Sequence, residues 1–116
     1  MSAHEGAADD FYCREVLSGE TPVEVVAETQ HVLAFRHTRP HYDVHVVVVS
    51  KQHIASLLEP PAGGAPAIEL WSVVQEVAAE ISSEHGGCHI VTNTGRYQDS
   101  KHLHVHVGVD RDDPGE

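Results

Sequence analysis

Three histidines at two-residue intervals, His102, His104 and His106, stand in the stretch KHLHVHVGV at 101–109. In an extended strand, residues two apart share a face and lie roughly 6.6 Å from each other. The three imidazoles therefore line one side of a strand, and Leu103, Val105 and Val107 pack on the other. Three uses compete for such a row. It can be a polar solvent face, although strands usually build those from Thr, Lys or Glu. It can hold a metal, since two strand histidines at this spacing can ligate zinc; the chain has no HExxH or CxxC to complete such a set. It can also perform nucleophilic catalysis at phosphorus, where imidazole forms a labile phospho-histidine. Neighbouring imidazoles then fix the nucleophile's tautomer, bond phosphate oxygens and carry a proton to the leaving group. This third use employs all three rings and needs no cofactor and no metal.

The elements that must position the row fit in one domain of 116 residues. Seven Lys and Arg face eighteen Asp and Glu, a formal charge of −11. Such a field disfavours nucleic acid and anionic membranes as partners, and it leaves any anionic substrate to local donors. Eleven histidines give an unusual capacity for proton exchange near neutrality. Two cysteines, Cys13 and Cys88, make no disulfide framework, and no run approaches the roughly 20 apolar residues of a membrane span. The opening MSAHEGAADD is polar and acidic, unlike a signal peptide. A soluble, cytoplasmic protein is expected.

Residues 1–8 and 111–116 read as loose tails around a domain at 9–110. A first helix is predicted through FYCREVLS, ended by Gly19. VEVVAET and HVLAFRH read as a hairpin, and the valine run of YDVHVVVVS as a central strand buried on both faces. EPPAGGAP is a loop by composition. From Pro66 to His85, Ile68, Trp71, Val74, Val77, Ala78 and Ile81 recur at three- and four-residue steps, which predicts a helix with that face buried. GCHIVTN and KHLHVHVGV supply two more strands. The expectation is an α+β domain, a five-stranded antiparallel sheet with two helices. Cys88 and His89 are adjacent on a strand and point to opposite faces, so they cannot form a catalytic pair.

HLHVHV follows the His-x-His-x-His-x pattern with apolar x, and so resembles the histidine triad family of nucleotide hydrolases and transferases. The stretch from FYCREVLSGETP to the hairpin, VHVVVVSKQHI, and IVTNTG are similar to family landmarks in the family's order, over some 100 residues. The small Hint-like branch of phosphoramidate hydrolases is the best match. The resemblance implies a HIT-like fold, a homodimer through the second helix and the GCHIVTN strand, and a nucleotide substrate. It makes His104 the nucleophile on the α-phosphorus, His102 its orienter through a carbonyl, and His106 the partner of the phosphate or leaving group. It aligns His53 with a fourth site histidine, Asn93 with a polar residue near the scissile phosphate, and Gln98 with a glutamine on the phosphate side.

The chain departs from the family at three places. His37 stands where the family has an Asp that grips the ribose hydroxyls, and a neutral imidazole cannot accept from both. Asp99 stands where the family has a phosphate-binding Ser. A carboxylate about 4 Å from a phosphate oxygen costs on the order of 4 kcal/mol at an effective dielectric near 20. Either Asp99 turns away, with Ser100 supplying the hydroxyl, or it meets a cationic leaving group or a charged histidine. Asp10 and Cys13 occupy the places of a Cys-x-x-Cys that contributes to structural zinc in some bacterial relatives, which leaves a weak ligand pair. Beside hydrolysis through a nucleotidyl-histidine, the sequence leaves open nucleotidyl transfer or phosphorolysis, a binding module with little turnover, and a metal-dependent hydrolase.

Overall fold

A computed structural model describes residues 16–19, 22–37, 42–59, 64–98 and 101–110. Both tails and most of the predicted first helix lie outside these residues. At that helix's end, the Gly19 N–H donates to the Val16 carbonyl at 3.1 Å. Five strands follow: β1 (Val25–Glu28), β2 (Val32–Arg36), β3 (Val44–Ser50), β4 (His89–Val91) and β5 (His104–Val109). Between β3 and β4 runs one long helix, α1 (Ala65–His85). All strand pairs are antiparallel, in the spatial order β1-β2-β3-β5-β4. The last of the described strands is thus an interior strand of the sheet.

The valine run does what its composition predicts. β3 is buried from His45 to Ser50 and sends alternate residues into two separate cores. Val46 and Val48 join Val32, Ala34, Leu103, Val105 and Val107 beneath α1. Val47 and Val49 join Leu33, Phe35 and Val16 on the opposite face. The helix therefore covers one side of the sheet, and the even-numbered residues of β5 look out from the other.

The helix presents a different stripe from the predicted one. Ala67, Leu70, Val73, Val74, Val77, Ala78 and Ile81 are buried, whereas Ile68 and Trp71 are exposed. The three- and four-residue rhythm holds for both sets, because α1 carries apolar residues on two adjoining faces, and only packing decides which meets the sheet. Full burial of one such side chain, Leu70 for instance, contributes about 1.5–3 kcal/mol. Pro66 sits in the first turn, and Gly86 ends the helix at φ 83°, a left-handed conformation that favours glycine.

Candidate active site

Register brings the histidines together. Across β3 and β5, Val49 faces His104, Val47 faces His106, and His45 faces Gly108. The nucleophile candidate and its neighbour thus stand beside two fully buried valines, which leaves their rings one direction to point. His102 precedes the regular part of β5 and is wholly buried. The Leu103 N–H donates to the Ile54 carbonyl at 2.6 Å and so pins this approach to the segment after β3.

Carbonyl partners fix the tautomers, since a carbonyl oxygen only accepts. His104 Nδ1 lies 2.6 Å from the His102 carbonyl, so Nδ1 carries the proton and Nε2 keeps a lone pair. His102 Nε2 lies 2.5 Å from the Ser50 carbonyl and donates to it. The Thr92 hydroxyl donates to the His104 carbonyl at 2.8 Å, which holds β5 from the β4 side. His106 meets His104 edge-on, with ring centroids 4.9 Å apart.

Gln98 is nearly buried, and its amide nitrogen donates to the carbonyls of Ala55 at 2.6 Å and His102 at 3.2 Å. Both of its N–H groups are engaged by these two carbonyls. Gln98 thus braces the carbonyl that orients His104. His53 packs edge-on against His102, centroids 5.4 Å apart, and so stands behind the row. Asn93 is half-buried and follows β4 directly, next to Thr92. Asp99, Ser100, Asp10 and Cys13 lie outside the described residues. Cys88 turns toward α1, where the Ser82 hydroxyl is 3.6 Å from its sulfur, while His89 pairs with Asp110 at 3.0 Å.

His37 stacks on His45 at 4.3 Å between centroids and lies 5.9 Å from His106. Sequence reasoning missed His45 altogether. Its Nε2 is 2.8 Å from His106 Nδ1, and only 5% of the residue is exposed. The available signal was parity: His45 shares a face with Val47 and Val49, hence with the triad. The Tyr42 ring covers Gly108, where an added Cβ would lie within 2.6 Å of Tyr42 Cγ. Glycine there lets the tyrosine lie across β5 and meet His45 edge-on, centroids 4.9 Å apart.

Fold and site together define a mixed α/β protein whose interior strand presents alternating histidines from an antiparallel sheet. The family model described as the HIT domain matches residues 18–113, and the chain belongs to that family. A 13.2 kDa HIT-like protein of Azospirillum brasilense is 33% identical over 100 residues, covering 83% of this chain and 82% of that one. An adenosine 5'-monophosphoramidase of Candida albicans is 25% identical over 119 residues, 97% of this chain and 76% of its own length. The solved structure of a histidine triad protein from Clostridium difficile superposes with a TM-score of 0.69 at 31% identity, covering 91% of this chain and 94% of that one.

Proposed function

We propose that the protein hydrolyses a phosphoramidate or similarly activated nucleotide at its α-phosphorus, through a nucleotidyl group carried on His104. One observation carries this reading: the His104 Nδ1–H bond to the His102 carbonyl, which fixes the tautomer whose Nε2 bears the lone pair a nucleophile needs. The Candida albicans relative, named as an adenosine 5'-monophosphoramidase, supports the substrate class.

In the first step the Nε2 lone pair forms a bond to phosphorus while the P–N bond of the leaving amine breaks. His106 gives the amine its proton. Charge that develops on His104 is met by the His102 carbonyl, itself held by Gln98. In the second step water attacks phosphorus and its proton passes to His106. The N–P bond to His104 then breaks and releases the nucleoside monophosphate. His45, hydrogen-bonded to His106, orients that ring for both transfers.

Mass spectrometry of the protein incubated with an adenosine phosphoramidate tests the reading. A nucleotidyl adduct is expected on His104 and is absent from His104→Ala, whose turnover falls by at least about 10³-fold, as in other enzymes that lose their nucleophile. Unchanged turnover in that variant rules the mechanism out.

A homodimer belongs to the same reading. β4 is an edge strand of only three residues, and Ile90 on it is 49% exposed. The helix stripe Trp71–Gln75–Ala78–Ser82 runs along the β4 side, because Ala78 and Ser82 both meet Cys88 just ahead of that strand. Exposed Trp71 therefore flanks the same open edge. Pairing of two β4 edges would cover both residues and extend the sheet.

A further inference from the structure

We propose that His37, His45 and His106 form a binding site for one divalent first-row transition metal ion of the zinc class. Three adjoining strands supply the set: the end of β2, the start of β3 and the middle of β5. The His37 N–H donates to the His45 carbonyl at 2.8 Å, which continues the β2–β3 ladder and sets the two side chains abreast. His106 reaches the same place diagonally, from its position opposite Val47. One ring nitrogen from each residue lies within 4.8 Å of the other two.

This spacing suits a metal. Tetrahedral Zn²⁺ with nitrogens at about 2.0–2.1 Å separates its ligand atoms by about 3.4 Å. The His45–His106 pair, at 2.8 Å, need open only by a fraction of an ångström. His37, half-buried just past the end of β2, must move inward to close the set to ligand spacing. Three neutral imidazoles with no carboxylate leave the ion its full charge and a fourth, open position. The net charge of −11 draws cations toward the molecule. Tyr42, lying over Gly108, meets the His45 ring edge-on.

The set shares His106 with the row that bears His104. An ion held on His106 Nδ1 replaces the hydrogen bond by which His45 orients that ring, and its positive charge opposes protonation of the same ring for the leaving group, so metal suppresses turnover; this consequence rests on the proposed hydrolysis, while binding itself does not.

The test is titration of the full chain with Co²⁺ alone, read by its visible absorption, followed by displacement with Zn²⁺. One saturable tetrahedral-type site is expected. His37→Asn and His45→Asn should each weaken it by about 100-fold or more, since even outer partners of a ligand cost 10–100-fold. His85→Asn, on the far end of α1, should leave the titration unchanged. Circular dichroism of each variant separates ligand loss from unfolding, and the rim position of His37 decides the matter if His45→Asn fails to fold. No Co²⁺ binding by the wild type, or binding indifferent to His37, overturns the site. Zn²⁺ should also block turnover of an adenosine phosphoramidate, and a chelator should restore it. Binding without any turnover would sink the hydrolase reading and leave the site standing; turnover without binding would do the reverse.

Discussion

Gln98 bears on the proposed chemistry through the His102 carbonyl. Its amide donates to the Ala55 and His102 carbonyls, and the second of these also accepts the hydrogen bond from His104 Nδ1–H. Replacement by Leu keeps the volume and removes both donors, so the Ala55 carbonyl loses this partner and the His102 carbonyl keeps only His104, at about 0.5–1.5 kcal/mol for each hydrogen bond lost. Gln98→Leu is therefore expected to lower the denaturation midpoint and to reduce kcat more than KM, because the cost at His104 falls on the reacting state. A variant with normal kcat and reduced stability would make Gln98 only a structural brace. The triad itself was legible in the sequence because a strand's period of two sorts histidine from Leu and Val without further information. His45 was not, because its meaning depends on which residue of β5 lies across from it, and no local pattern carries register.

Elements are joined at a few polar points, and Glu69 is one of them. In the first turns of α1 it accepts from the Thr29 hydroxyl at 2.7 Å and from the His31 N–H at 2.6 Å, both in the β1–β2 turn. The Thr29 hydrogen bond first, then those from His31, hold its carboxyl below the ordinary value of 4.5 against the opposing effect of burial. A carboxylate lowered in the folded state adds stability above its unfolded pKa and loses it as pH falls through the folded one. The thermal midpoint of the wild type should thus drop below about pH 4.5 more steeply than that of Glu69→Gln, by calorimetry across that window. Equal slopes would show that the tie does not depend on charge. The sheet and the long helix could be read from valine runs and apolar rhythm. The buried face of α1 could not: Ile68 and Trp71 satisfy the same rhythm as Leu70 and Val74, and tertiary contact chose between them.

At the scale of the whole molecule, the open edge at β4 is where the proposed dimer would form. With Ile90 and Trp71 exposed on the same side, the proposed dimer should dissociate when a charge is placed at its centre. Ile90→Lys is expected to sediment as a monomer where the wild type sediments as a dimer, with the monomer's circular dichroism retained. A wild type that is monomeric at all concentrations would refute the interface. Strand order has a different consequence. β5 is the last strand made, yet it lies between β3 and β4. While the chain is being synthesised, β3 has one vacant side and β4 has no neighbour at all. The segment that fills this gap is the one that brings His104. Completion of the sheet and arrival of the proposed nucleophile are thus a single event, so on that reading a partly folded chain has not yet placed His104.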